Sequence, residues 1–494
     1  MKIYSIRRTF IILQTLVFAL SLLYEQLFAS THEYTIIFLY SLWNVISYIW
    51  LFIVELKYAP DFHPYQILAI ITAQFVGING ISLYLKLIDG ENLYFGAQLV
   101  NDSLYLGIIY LSLQHIILFA IFFIFENRHR EDKRKIPKIA DRIKSSNINY
   151  FSWAIYFYIF VWLLRLLALV IPLVSISSVL VGLTVNGYSI TLFLLTFSML
   201  QEVTSNRAKI WHWLIVVIEI VLVLNHGMKE EIIRPLVPYC IYLIISYKAG
   251  YSKINFRTVL SVALISIFVI YFVFPYVSIF RSLSIRSGRS WSQISTTEAI
   301  VEYEKYIKKE GLYAKDDEER GMDYLINRAG SIGCNAFSID YSKKYGNNLK
   351  FFSYCCYALI PRVIWPNKPN VVIGGMVDSL VRGESNWLTA QQSDSYGNSL
   401  SLGYVGSCYF CLGFWGAIIL ISFQSFFIWY IWDFIKRTML YNLVALWMFT
   451  GLVYILLKDF ESFADCGLNF IVFNLIYLFI CKYIYRGPSY LVKR

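Results

Sequence analysis

Charge is scarce in this sequence. Asp, Glu, Lys and Arg make up 15% of its 494 residues, against about a quarter in an ordinary soluble domain. Hydrophobic residues make up 58%, and the mean hydropathy is +0.56. Such a chain cannot cover its surface with polar groups in water, which excludes a set of soluble domains. Internal repeats and low-complexity tracts are also missing. Secondary transporters often carry repeats, so this absence weighs mildly against them. Cys408 and Cys411 form a Cys-x-x-Cys, but no second pair or histidine lies nearby to complete a zinc site. Cys334, Cys355 and Cys356 fall together in a polar stretch, where one disulfide is an open expectation.

What is present is a series of long apolar runs. A span needs about 20 mostly apolar residues to cross roughly 30 Å of hydrocarbon. Spans are expected near 9–29, 34–54, 65–88, 103–125, 150–174, 188–203, 210–226, 231–247, 258–280, 410–432, 438–457 and 466–485. The basic N-terminal residues Lys2, Arg7 and Arg8 precede an apolar stretch without a clear cleavage site, so this segment reads as a retained first span. The fold class is therefore an all-α polytopic membrane protein of about twelve helices. The 39 Tyr, 37 Phe and 13 Trp suit membrane interfaces as well as cores.

The charge of +11 raises the question of nucleic acid, and the placement of the basic residues answers it. With the N-terminus inside, 23 of the 43 Lys and Arg residues fall in pieces assigned to the cytoplasm, eight of them in 126–149. Short outer loops hold about three, Lys86, Lys229 and Lys458. That is the positive-inside pattern, and the basic residues sit where anionic headgroups lie. A nucleic-acid binder gathers them on one face of a folded domain. Both termini are expected in the cytoplasm, and no nucleic-acid partner is expected.

The chain then divides into 1–280 with nine spans, 281–397 as a large extracytoplasmic loop, and 398–494 with three more spans. The loop carries 15 basic and 13 acidic residues, so it reads as hydrated and nearly neutral. Ser295 to Leu312 reads as an amphipathic helix, with Ser295 and Glu298 as a capping box and Ile300, Tyr303 and Ile307 on one face. Ser395 to Trp432 then runs 38 residues without charge, interrupted by Gly403, Gly406, Gly413 and Gly416. That is too long for one span. A re-entrant or interfacial stretch leading into a span explains it.

Several residues are candidates for chemistry. Arg165 and Glu219 fall mid-span, where a lone charge costs at least about 2.5 kcal/mol. They are either functional or a structural ion pair. His226, Lys229, Glu230 and Arg234 cluster at a turn facing outward. Arg281 ends a span at the outer surface, where a lipid-linked phosphate would sit. Arginine offers two parallel hydrogen bonds to phosphate oxygens. Arg328 follows in the loop. The most distinctive string is Ala358-Leu359-Ile360-Pro361-Arg362-Val363-Ile364-Trp365-Pro366-Asn367-Lys368-Pro369. Its three prolines make it rigid and non-helical, with Arg362 and Lys368 flanking Trp365.

That string resembles the signature of the Wzy-type polysaccharide polymerases, which join O-antigen and capsule repeat units. Gly227 with Lys229, Phe280-Arg281, Arg328, and Ser399 to Gly406 resemble further family features. The resemblance covers roughly residues 220–420. One departure stands out: Asn398 occupies a position where many members carry an acidic residue, with Asp394 upstream. The resemblance implies transfer of a growing chain from undecaprenyl diphosphate to a sugar hydroxyl of an acceptor unit. This would occur at the outer face of a bacterial cytoplasmic membrane. It assigns Arg281, Arg328 and Arg362 to the diphosphate, helped by Lys229, Lys368, Arg234 and Trp365. Glu230, Asp394 and His226 remain alternative bases. No cofactor is expected, and no Gly-rich nucleotide loop or Asp-x-Asp string occurs. The expected partners are undecaprenyl-diphosphate-linked oligosaccharides and the bilayer, with room for a chain-length regulator. An O-antigen ligase is an alternative, although residues 281–397 lack the histidine expected of it. A flippase of lipid-linked oligosaccharide is another, favoured by buried charges and disfavoured by the long loop.

Overall fold

The structure is a computed structural model. It describes residues 2–28, 34–88, 94–95, 98–99, 103–128, 138–170, 174–202, 206–224, 234–251, 273, 276–277, 279–280, 283, 296–310, 330–349, 360, 365, 403–438, 443–457 and 470–479. Six helical stretches among these are long and apolar enough to cross a membrane: Ile3–Leu27, Tyr34–Tyr58, Pro64–Ile88, Leu104–Asn127, Tyr150–Ala168 and Gly403–Thr438. The chain is thus helical and multi-pass. The chain forms two compact units, residues 1–137 with 328–494, and residues 138–327.

In the first unit, α1 (Lys2–Phe28) and α2 (Tyr34–Tyr58) precede a bent span of three pieces. These are α3 (Pro64–Thr72), a π-helical turn (Ala73–Ile78) and α4 (Asn79–Ile88). The start of α3 is set locally. His63 accepts from the Tyr65 N–H, the Gln66 side chain accepts from the His63 N–H, and Pro64 occupies the first turn, where its missing donor costs nothing. This bent span is the inner one: 72% of its apolar window is buried, against 17% for α1. The outward leucines and isoleucines of α1 suit a lipid-facing helix. A two-residue antiparallel hairpin, Tyr94–Phe95 with Gln98–Leu99, precedes α5 (Leu104–Arg128).

The unit is completed by α12 (Gly330–Tyr345), α13 (Gly403–Thr438), α14 (Leu443–Leu457) and α15 (Phe470–Phe479). The long uncharged run is divided within α13. Gly413 has φ 68° and ψ −170°, which breaks the helix into a first arm, 403–412, and a second arm, 414–438. The Tyr404 hydroxyl donates to the Leu420 carbonyl oxygen at 3.3 Å, so the first arm folds back along the second.

In the second unit, α6 (Ile139–Lys144) leads into α7 (Tyr150–Val170), which packs lengthwise on α8 (Val174–Gln201). Residues 187–200 of α8 are buried, so α8 is the core of this unit. α9 (Arg207–Leu224), a 3₁₀ turn (Arg234–Leu236) and α10 (Val237–Ala249) pack against it, and α11 (Thr296–Glu310) follows. Gly250 ends α10 in the left-handed conformation at φ 78°.

Several expectations change. The span expected at 188–203 belongs to a longer helix that starts at Val174, and the one expected at 231–247 begins as a 3₁₀ turn. α11 is a helix where one was expected, but its inward face differs. Ala299 is buried and Tyr303 packs edge-on against Tyr276, whereas Ile300 is 44% exposed. The buried stripe is rotated because Ala299 and Tyr303 are one turn apart and Ile300 sits at its edge. Ser295 and the expected span 258–280 lie mostly outside the described residues. Arg7 and Arg142 were counted among membrane-edge charges, yet both are buried.

Candidate functional site

The segment 281–397 is not uniformly hydrated. Its helix α12 is buried along Ile332, Cys334, Asn335, Ala336, Phe337, Ser338 and Ile339. It packs on α5 and on the first arm of α13. A Cβ on Gly107 of α5 would lie 2.7 Å from the Ile332 carbonyl oxygen, and one on Gly406 would lie 2.7 Å from the Asn335 Oδ1. Neither helix can come this close to α12 with a larger residue there. Ser103 donates to Asp340, tying the start of α5 to the later turns of α12. Cys334 is buried and forms no disulfide, and Cys355 and Cys356 lie outside the described residues.

The end of α12 meets the break in α13. Gly346 adopts φ 80°, the Asn348 N–H donates to the Phe410 carbonyl oxygen at 2.9 Å, and the Tyr341 ring lies 5.0 Å from that of Phe410. A Cβ on Gly413 would lie 3.1 Å from the Asn347 Nδ2. Residues 349 and 403, which bound the interval 350–402, therefore both lie on this one packed pair of helices. That interval holds the proline-rich string.

Most of the sequence-derived site residues, Arg281, Arg328, Arg362, His226, Lys229, Glu230, Lys368 and Asp394, lie outside the described residues. Arg234 opens the 3₁₀ turn and is half-buried, and Trp365 is half-buried. They are the two of these residues that the structure describes.

Arg165 and Glu219 are brought together. Arg165 donates from Nη1 to Glu219 Oε1 at 2.9 Å and from Nη2 to Oε2 at 2.5 Å. The Tyr158 hydroxyl adds a bond to Oε1 at 3.1 Å, and the guanidinium lies 5.2 Å from the Trp162 ring centre. Glu219 is fully buried. With both charges matched in a forked pair, the structural alternative holds: the two residues clamp α7 to α9.

A second charged cluster was missed by sequence reasoning. Arg7 donates from Nε and Nη2 to the two carboxylate oxygens of Glu55, at 2.6 and 2.8 Å. Its Nη1 donates to Glu126 Oε2 at 2.8 Å. The other Glu126 oxygen lies 2.7 Å from His63 Nε2. Because His63 Nδ1 already accepts from the Tyr65 N–H, the ring proton sits on Nε2 and is donated to Glu126. The Arg7 guanidinium also stacks over Tyr65, 4.4 Å from its centre. All four polar residues are buried. Burial lowers the His63 pKa, opposed by the Glu126 carboxylate, and the ring stays neutral at pH 7. The partners are 48 and 119 residues apart in sequence, and each stands near a helix end, where a charge reads as a topology marker.

Comparison with known protein families, with characterised proteins and with solved structures gives no match.

Proposed function

We propose that this chain is a polymerase of lipid-linked oligosaccharides. It would join repeat units carried on undecaprenyl diphosphate at the outer face of a bacterial cytoplasmic membrane, with twelve spans and both termini inside. The observation that carries the reading is the string Ala358 to Pro369, with its Pro-Arg, Trp-Pro and Lys-Pro steps. Two findings support it. The chain is multi-pass. The segment with the string starts and ends on α12 and the first arm of α13, an anchored base suited to a loop that must hold substrate.

The chemistry follows from the substrate. The diphosphate leaves as an anion, so its departure needs electrostatic stabilisation rather than protonation. Arg281, Arg328 and Arg362, with Lys229, Arg234 and Lys368, supply the positive charge. Trp365 would pack against the carrier lipid or a sugar. One of Glu230, Asp394 or His226 would take the proton from the attacking hydroxyl. The bond energy is stored in the activated lipid, so no nucleotide is required.

The flippase alternative loses its main support. It drew on Arg165 and Glu219 as charges along a central path, and these neutralise each other. The test is a glycan size profile from cells carrying Arg281→Ala or Arg362→Ala. Both variants should reach the membrane and yield single repeat units. Full-length polymer from both refutes the assignment, and a block that leaves units on the inner leaflet points to a flippase.

A further inference from the structure

Four polar side chains from four helices come together at the end of the first unit away from Arg7. They are Glu25 in the last turn of α1, Tyr110 near the start of α5, Lys343 in the last turn of α12 and Tyr409 in the first arm of α13. Arg7 and Glu25 stand about five turns, or 27 Å, apart on α1, so this group is separate from the Arg7 cluster. The Tyr110 ring lies 5.4 Å from the rings of Tyr409 and Phe414, which hold it in place. Tyr110 and Lys343 are both within electrostatic reach of the Glu25 carboxylate.

None of the four is committed to another polar group. The nearby Tyr105 hydroxyl donates to the Ser21 carbonyl oxygen at 3.4 Å. Glu25, Tyr110, Lys343 and Tyr409 make no hydrogen bond or ion pair among the described residues. Glu25 and Lys343 attract each other but stand too far apart to pair. All four are reachable from the surface: Lys343 is exposed, and Glu25, Tyr110 and Tyr409 are half-buried. Tyrosines are common where a membrane meets water. That accounts for the phenols, but not for a carboxylate and an ammonium held apart beside them. Tyr409 also precedes Phe410, whose carbonyl oxygen receives the Asn348 N–H at 2.9 Å. The group therefore lies beside the ends of the interval 350–402, which holds the proline-rich string.

The mixture of groups selects the ligand. Glu25 repels a phosphate or any other anion. An acyl chain would strip water from both charges without replacing it. A neutral sugar carries adjacent hydroxyls that each donate and accept. One can donate to a carboxylate while its neighbour accepts from an ammonium or a phenol. We propose that Glu25, Tyr110, Lys343 and Tyr409 form a binding site for a neutral sugar, with Glu25 accepting from one hydroxyl and Lys343 donating to the next. That this sugar is the terminal residue of the acceptor unit rests on the polymerase reading; the sugar site itself does not.

The test uses the full chain in phosphatidylglycerol nanodiscs, which contain no sugar, with empty nanodiscs as the blank. Glucose, galactose, mannose, rhamnose and N-acetylglucosamine are titrated separately and followed by saturation-transfer NMR. At least one should receive saturation from the wild type. Glu25→Gln removes a charged acceptor and should weaken that binding at least about tenfold, and Tyr110→Phe removes one neutral hydroxyl and should weaken it about threefold. Both variants should melt like the wild type, since neither side chain holds another. Absence of transfer to all five sugars in the wild type overturns the site, and this result needs no folded variant. Equal affinity in the wild type and E25Q overturns it as well. Sugar binding by a protein whose deletion leaves glycan length unchanged upholds the site and removes the polymerase reading. Loss of polymer on deletion, with no saturation transfer to the wild type, does the reverse.

Discussion

The Tyr404 hydroxyl reaches the carbonyl of Leu420, sixteen residues further along the chain. In an unbroken helix those positions stand about 24 Å apart. The bond therefore reports a reversal between them, and Gly413 is where the backbone turns.

Gly413→Ala should strain that turn. Its φ and ψ lie where essentially only glycine is found, and the added Cβ would press on the Asn347 amide. A loss of about 1–3 kcal/mol is expected, seen as a lower melting temperature in detergent. Ala at Gly416, in the helical second arm, tests crowding without the positive φ, since the nearest atoms its Cβ would meet are those of the Leu412 side chain. A Gly413→Ala protein that melts like the wild type would show that the reversal does not depend on glycine.

Arg165→Met should leave Glu219 buried without its cation. Breaking a buried pair from one side costs about 3–5 kcal/mol, so the variant should accumulate poorly. The double variant Arg165→Met with Glu219→Met should recover most of the loss. Membrane levels and melting temperatures check both. A double variant as unstable as the single one would mean that the pair does more than hold α7 to α9.

The His63 environment predicts a pH dependence. Its pKa in the folded protein is below the ordinary imidazole value of about 6.5. The unfolded chain thus binds the proton more readily. The stabilisation is complete above about pH 6.5 and falls as pH drops from there toward the lower folded value. A proton on Nδ1 would also remove the acceptor of the Tyr65 N–H and uncap α3. Melting temperature should fall as pH drops below about 6.5, and His63→Gln should flatten that slope. Equal slopes in both proteins would assign the effect elsewhere.

The Arg7 cluster also predicts sidedness. It gathers the start of α1, the end of α2, the residue before α3 and the end of α5. These are the four ends expected at the cytoplasmic face. In a background without native cysteines, Arg8→Cys and Lys57→Cys should react with an impermeant maleimide only after the membrane is opened. Lys308→Cys on α11 should react in intact cells. Labelling of Arg8→Cys from outside would invert the topology, and with it the location of the proposed reaction.

The spans were legible because a run of apolar residues is a one-dimensional signal. α1, α2, α5 and α7 follow it closely. The division of the run from Ser395 to Trp432 was legible from its length, but four glycines shared the signal, and only the backbone singles out Gly413. α12 was not legible. Its sequence mixes Ser, Asn, Asp and Lys with few large apolar residues, so it reads as polar loop, yet small residues let it lie tightly against α5 and α13. The pairing of Arg165 with Glu219 was half legible: both charges stood out, while their partnership required the third dimension. The Arg7 cluster was hidden because charges near helix ends are common and have an ordinary explanation.

Arg7 and Glu126 lie at nearly opposite ends of the first five helices to be made. As the ribosome feeds the chain into the bilayer, Glu55 arrives first and neutralises the guanidinium. Glu126 emerges about 70 residues later, roughly 4–14 s at ordinary synthesis rates. Until then Arg7 has one acceptor of the two it will keep, and His63 has no acceptor for its ring proton. The early helices would then be held as a provisional bundle, sealed only when α5 arrives, and a chain truncated before that point would be a marked substrate for membrane quality control.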